Sequence, residues 1–209
     1  MAIRAVLTGD IVNSTKLSAT KSAALSRQLE ALFASEGATF EFYRGDSFQA
    51  YVKNPAHALR LALMSRTAAI KLSKDNKRVM SDVRISIGIG TITGLVRSLK
   101  TAKGEAFVLS GRRFDELIKV GDRLAIHSAH QLANEALQIM ANYLNAIFKD
   151  MTGKQAEVIF ELLKGELQKE VANKIKKTKS TIHQRITAGR WPEIEILLLQ
   201  YENIIFQIS

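Results

Sequence analysis

The sequence contains no cysteine, so neither a disulfide framework nor a thiolate metal site can form, and a reducing cytoplasm is the expected home. Only four histidines are present, too scattered to take over the role of metal cluster. No window approaches the roughly 20 apolar residues that a membrane span needs. The opening stretch MAIRAVLTGD lacks the basic flank and long apolar run of a secretory signal. Neither secretion nor membrane insertion is expected. Internal repeats and low-complexity tracts are also missing.

What is present is an ordinary globular composition. The 209 residues, 46% hydrophobic and 24% charged, suffice for one well-packed domain and a small second one. Thirty Lys+Arg against twenty Asp+Glu give a formal charge of +10, which favours polyanionic partners such as nucleic acid or nucleotides. The charge is concentrated. Between Lys164 and Arg190 eight residues are basic (Lys164, Lys169, Lys174, Lys176, Lys177, Lys179, Arg185, Arg190) and two acidic (Glu166, Glu170).

Residues 3–8 are apolar and β-rich and stop at Gly9-Asp10, a buried strand with a polar tip. Asn13, Ser14 and Thr15 offer N-caps for a helix from about Lys16 to Ala34. Two short strands, 39–43 and 48–52, flank Arg44-Gly45-Asp46-Ser47, residue types suited to a tight hairpin. Pro55 opens a helix running to about Leu72, and 83–89 is a β-branched alternation. The order β-α-β-β-α-β predicts an α+β fold with a ferredoxin-like antiparallel sheet covered on one face by two helices. A helix over 105–119, a strand over 123–127 and a helix over 129–149 complete a first domain of residues 1–150. A small all-α domain of residues 151–209 follows, with helices that can pack back on the first and leave little linker.

Within that second part, Thr152 caps a helix over 154–163, Gly165 stops it, and a second helix spans 166–175. Ala172 suits a close helix crossing, while Val171, Ile175, Ile182 and Ile186 form a small core. The stretch QKEVANKIKKTKSTIHQRI resembles the helix-turn-helix of bacterial regulators and the equivalent segment of sigma factors, although Lys176 stands where such motifs usually carry glycine. A non-glycine residue is tolerable there with positive φ. The resemblance implies that 179–187 is a recognition helix for double-stranded DNA. Thr181, Gln184 and Arg185 would contact bases or phosphates, with Lys177 and Lys179 on the backbone. The alternative is a three-helix bundle with a solvated basic face. The apolar run 194–206 reads as a packing or dimer helix.

Asp10 ends the first strand and Asp46 tips the hairpin, places that are neighbours in a split βαβ sheet. Each aspartate taken singly fits ordinary turn chemistry. Together in a basic domain they repel unless a cation sits between them, and a hard divalent ion with a triphosphate suits such a site.

The words LTGDIVNST, YRGDSFQAYV, VRISIGIGTITG and GEAFVLSGRRFDEL together resemble the class III nucleotidyl cyclase and palm-polymerase superfamily. They are closest to the SatD family, which joins such a domain to a C-terminal helix-turn-helix. The resemblance implies that Asp10 and Asp46, with the Ile11 carbonyl, hold Mg²⁺ or Mn²⁺ on a nucleotide. Counting from Gly104, cyclases place an asparagine four residues on and an arginine eight residues on; here these are Val108 and Arg112. Arg112 and its neighbour Arg113 are candidates for phosphate charge, as is Arg44 beside the hairpin, for which plain surface charge serves equally well.

Two functions fit these residues. One is a cytoplasmic, homodimeric DNA-binding regulator whose cyclase-like domain senses a metal-bound nucleoside triphosphate or cyclic nucleotide. The other is a metal-dependent nucleotidyl cyclase or oligonucleotide-forming nucleotidyltransferase recruited to nucleic acid, with Asp10, Asp46 and Arg112 as catalytic residues. A first domain serving only as a dimerising scaffold is a third. Either of the first two predicts that affinity for duplex DNA falls steeply with salt, with a log–log slope of about −0.9 per neutralised phosphate. Fluorescence anisotropy across a salt series measures it, and a flat response would remove DNA from the partners.

Overall fold

The structure is a computed structural model and describes residues 2–43, 45–73, 81–94, 96 and 98–209. Strands β1 (Ile3–Val12), β2 (Thr39–Tyr43), β3 (Ser47–Val52), β4 (Asp82–Thr91) and β5 (Leu124–Ser128) form one sheet in the order β2-β3-β1-β4-β5. The first four pair antiparallel, as a split βαβ unit requires, but β5 runs parallel to β4. The added strand β5 lies parallel because α3 (Glu105–Val120) is a crossover helix that carries the chain back to the end of the sheet from which β4 starts.

The two helices of the split βαβ unit cover one face of the sheet, as expected, and α3 lies on the other. The apolar side chains Ala5, Leu7, Val83, Ile85, Ile87 and Ile126 face α1 (Ala19–Ser35), α2 (Ala58–Ile70) and α4 (Gln131–Lys149). The opposite face meets α3, which sits directly on the backbone of β4. A Cβ at Gly88 would come within 2.3 Å of the Ala106 carbonyl and 2.4 Å of the Ser110 nitrogen, so only glycine admits the helix there. The first helix also starts later than its caps suggested. β1 runs on to Val12, Asn13 turns the chain with φ 59°, and Ser18 caps α1 through the Lys21 amide.

Four further helices follow: α5 (Gly153–Leu163), α6 (Gln168–Ile175), α7 (Lys179–Ala188) and α8 (Trp191–Ile208). Thr152 and Gln155 form a reciprocal capping box at α5, and Gly165, at φ +88°, ends that helix region. α6 begins two residues later than expected, because the Glu170 carboxylate reaches back to the Leu167 amide at 2.7 Å. Among the described residues no helix is long and apolar enough to cross a membrane.

These helices close the molecule over α2. Every residue of α2 except Arg60 is buried, since the sheet lies beneath it and α5 packs across its outer side. A helix enclosed on all sides must satisfy its polar side chains internally. Ser65 and Thr67 do so by donating to carbonyls one turn back, those of Leu61 and Leu63. Arg66, 1% exposed, makes a two-pronged contact with Asp82, Nε to Oδ1 at 3.1 Å and Nη2 to Oδ2 at 2.8 Å. It also donates to Asn145 of α4 and lies 4.5 Å from the centre of the Phe148 ring. Far along the chain, the buried Tyr201 of α8 donates its hydroxyl to the Pro55 carbonyl at 2.9 Å, pinning the last helix to the start of the α2 segment. One apolar core therefore runs from the sheet through α2 into α5, α7 and α8.

Removing one member of a buried ion pair strands the other, at a typical cost of about 3–5 kcal/mol. Asp82→Ala is expected to lose that much in urea unfolding, whereas replacing Arg66 and Asp82 together by apolar residues should recover most of it. Equal losses in the single and double variants would show that the pair is not what holds α2.

Candidate functional site

The antiparallel registers set Tyr43, Ser47, Asp10 and Arg84 side by side across β2, β3, β1 and β4. The Ile85 amide, bonded to the Arg123 carbonyl at 2.8 Å, continues that row to the start of β5. The next row inward is Glu41, Gln49, Thr8 and Ser86. Because side chains alternate along a strand, both rows share the face on which α3 lies. Thr8 links to Ser110 of α3 at 3.0 Å and accepts from Gln49 at 3.3 Å. α3 covers β4, β5 and β1, while Ser47, Gln49 and Tyr51 of β3 stay half-exposed. The result is a polar shelf at one end of the sheet, roofed on one side only.

Asp10 and Asp46 meet there. The Ile11 amide donates to the Asp46 carbonyl at 3.1 Å, binding the hairpin to the end of β1. Ser14 donates its hydroxyl to Asp46 Oδ2 at 2.6 Å. Arg84 Nη1 stands 3.4 Å from Asp10 Oδ2. Burial raises the Asp10 carboxyl above the ordinary carboxylate range; Arg84 pulls it down, and the Asp46 charge pushes it further up. Ile11 itself turns its buried side chain to the opposite face, so only its backbone is offered at this end.

Four buried side-chain atoms complete no hydrogen bond among the described residues: Asp10 Oδ1, Arg84 Nε, Ser86 Oγ and the Tyr43 hydroxyl, which has the Glu41 carboxylate beside it. All four belong to the two polar rows. Unmet polar groups cost about 1–3 kcal/mol each, so their gathering on one shelf marks a place built to meet something else. A divalent cation fits the donor set. Asp10 Oδ1 is a bare carboxylate oxygen, Asp46 supplies a second carboxylate, and hard ions take oxygen ligands. Among the described residues no three histidine, cysteine or acidic side chains are grouped so as to hold a metal ion, so phosphate and water oxygens would have to fill the rest of the shell. A separate cleft of about 460 Å³ near the start of β4 is lined by Arg66, Arg123 and Lys149 together with Asp82 and Asp122.

The other sequence-predicted residues of this domain are not joined to the aspartates by any bond among the described residues. Arg44 lies outside the described residues. Arg112 is exposed on α3, one turn from the half-exposed Val108, and Arg113 is held by Glu116 at 2.6 Å and His127 at 3.2 Å. The cation that stands against the aspartates is Arg84, which sequence reasoning missed. Its signal was present: in VRISIGI it is the one charged residue, out of phase with Val83, Ile85 and Ile87, so it points to the face opposite the core.

α6 and α7 are joined by Lys176, Lys177 and Thr178. Lys176 adopts φ 54°, ψ 51°, the left-handed geometry that its place in the turn demands, and Thr178 caps α7 through the Thr181 amide. Val171, Ala172, Ile182 and Ile186 are buried between the two helices and α5. Lys177, Lys179 and Gln184 are exposed, and Thr181 is half-exposed with its hydroxyl 2.9 Å from that of Thr178. Arg185 is turned inward, 3.4 Å from Glu157 of α5 and with 15% of its side chain exposed. The outward face of α7 thus presents Lys179, Ser180, His183, Gln184 and Thr187.

No protein-family model matches the chain, and no curated protein matches it. Among solved structures the chain is similar to a bacterial light-regulated adenylyl cyclase, with 16% identity and a TM-score of 0.42 over 60% of this chain and 43% of that one. It is also similar to the adenylyl cyclase CyaB from P. aeruginosa (14%, TM-score 0.41, 55% and 71% covered). A third is an adenylate/guanylate cyclase/hydrolase from Silicibacter pomeroyi (26%, TM-score 0.41, 54% and 69% covered). The chain spans less than half the length of the first of these. These overlaps are partial, and the chemistry of the sheet end follows from its own side chains.

Because the folded chain holds the Asp10 carboxyl above its ordinary range, the ionised form costs stability that is regained as pH falls below that raised value. Without divalent metal, Asp10→Asn should melt a few degrees above the unmutated chain at neutral pH, with the gap closing on acidification. Millimolar Mg²⁺ should reverse the order by stabilising only the chain that keeps both aspartates. Thermal melts across pH, with chelator and with Mg²⁺, measure this. An Asn variant stabilised equally by Mg²⁺ would rule out a cation on Asp10.

Proposed function

We propose that the polar shelf holds a divalent cation, Mg²⁺ or Mn²⁺, together with a nucleoside triphosphate and carries out nucleotidyl transfer. On this reading α6, the 176–178 turn and α7 form a helix-turn-helix that brings the protein to double-stranded DNA. The observation that carries the reading is the pairing of Asp10 with Asp46 on a shelf of unmet polar groups, in a chain whose formal charge is otherwise +10. The motif resemblance at GDIVNS and GDSFQA points the same way.

In such a reaction a ribose hydroxyl oxygen bonds to the α-phosphorus and gives its proton to water, the bond from that phosphorus to the bridging oxygen breaks, and pyrophosphate leaves. The cation, when bound, supplies positive charge to the phosphate oxygens and makes the hydroxyl easier to deprotonate. Asp10 and Asp46 would hold it, and the Ser14 hydrogen bond fixes the orientation of Asp46. Arg84, beside Asp10 and close enough to Arg123 to feel its charge, would offset the negative charge that the phosphate gains in the transition state. In a homodimer Arg112, exposed on α3, would act on the shelf of the second copy.

A second reading, sensing without turnover, is favoured by Val108. An apolar side chain stands where the resemblance implies an asparagine to position the ribose, so a nucleotide could bind and stay intact while its presence alters DNA binding.

Incubation with each nucleoside triphosphate and Mg²⁺ or Mn²⁺, followed by mass spectrometry, distinguishes them. The expected outcome is a new cyclic or linked nucleotide that Asp46→Ala fails to make, a loss of at least about a hundredfold for a group acting on transition-state charge. Nucleotide binding without product selects the sensor. Neither binding nor product leaves the domain as a scaffold and overturns both.

A further inference from the structure

On the far side of α2 from the polar shelf, α1 and α5 both lean on α2 and leave a cleft of about 530 Å³ between them. That volume lies in the range of small-molecule sites, about 300–1,000 Å³, which concentrate where structural units join. Its floor is apolar: Leu32, Met64, Phe160 and Leu163. Two cations stand on its rim. One is Lys164, 40% exposed at the side chain and 3.3 Å from Glu161. The other is Arg60, the single residue of α2 that is not buried. Glu36, the acidic residue on the opposite rim, is engaged with His57 at 3.5 Å.

Arg60 is bonded in a way that leaves it free to take an anion. Nη1 donates to the Leu163 carbonyl at 3.2 Å, capping the end of α5, while Nη2 reaches only to Glu202 of α8 at 3.5 Å, the limit of a hydrogen bond. Both side chains of this ion pair are 36% exposed, so the contact is worth at most about 1 kcal/mol and gives way readily to a better-aligned carboxylate.

We infer that this α1/α2/α5 cleft binds a small amphipathic carboxylate, its apolar body on Leu32, Met64 and Phe160 and its charged end on Arg60 and Lys164. Hydrophobic burial supplies the affinity and the guanidinium fixes the orientation. An occupant joins the sheet-packed helices α1 and α2 to α5, so it reports to the segment that carries α6 and α7. The site is independent of the metal and nucleotide reading of the shelf.

The test is calorimetric titration of the full chain with decanoate and with 2-naphthoate, beside decanol as the uncharged control. Saturable binding of at least one acid, one molecule per chain, is expected, with slower hydrogen exchange at the α5 amides. Ala31→Trp sets an indole across the cleft from an exposed position on α1 and should abolish binding with the circular dichroism spectrum unchanged. Arg60→Gln should weaken the acids about tenfold and leave decanol unaffected. Binding of neither acid, non-saturating uptake, or equal binding by Ala31→Trp would overturn the inference.

Discussion

The buried ion pair between Arg66 and Asp82 is the constraint on which the rest of the arrangement depends. A helix enclosed by a sheet below and by α5 above has no solvent to which a guanidinium can escape, so Arg66 must find all its partners inside. It finds them on three elements, with Asp82 at the start of β4, Asn145 on α4 and the face of Phe148. Asp82 is also bonded to the following amide, that of Val83, at 2.7 Å, which fixes the first turn of β4. Two residues on, Arg84 faces Asp10. The same contact that lets α2 be buried therefore sets the position of the cation that faces the acidic pair.

The polar shelf shows the opposite balance. Around Arg66 every group is met; around Asp10 several are not. Interior polar groups of proteins are bonded in the great majority of cases, and the exceptions here fall in two adjacent rows of one sheet face. Arg84 pulls the Asp10 carboxyl down more than the Asp46 charge pushes it up, and the carboxyl stays raised because burial outweighs both. A buried carboxyl held above its ordinary range costs stability at neutral pH, a cost of the kind accepted where something other than packing has been selected.

Much of this was readable from the amino acids. The β-α-β-β-α-β order follows from alternation and turn chemistry, and it alone brings Asp10 next to Asp46, because a split βαβ sheet makes the end of the first strand and the following hairpin neighbours. Lys176 was readable too, since a three-residue turn between helices demands positive φ there. What was hidden depends on contacts between distant segments. The parallel β5 and the helix on the second face follow from how α3 settles on Gly88, a packing event that no local pattern encodes. Arg84 required a strand register, which decides which of two faces a side chain occupies. Arg185 looked free for DNA in the helical repeat, but α5 carries Glu157 within reach of it, and the pairing of α5 with α7 is tertiary.

The enclosure of α2 has a consequence for how the chain is made. During synthesis α2 leaves the ribosome well before α5, so its outer apolar face, with Leu63, Met64 and Ala68, has nothing to lie against while the intervening strands and helices are still being added. The first half of the protein can pair its strands in that interval but cannot finish its core. Completion waits for α5, and α8 then closes on Pro55 through Tyr201. Later segments thus seal earlier ones, and a nascent chain stalled before α5 would present a sticky helix to whatever chaperone meets it first.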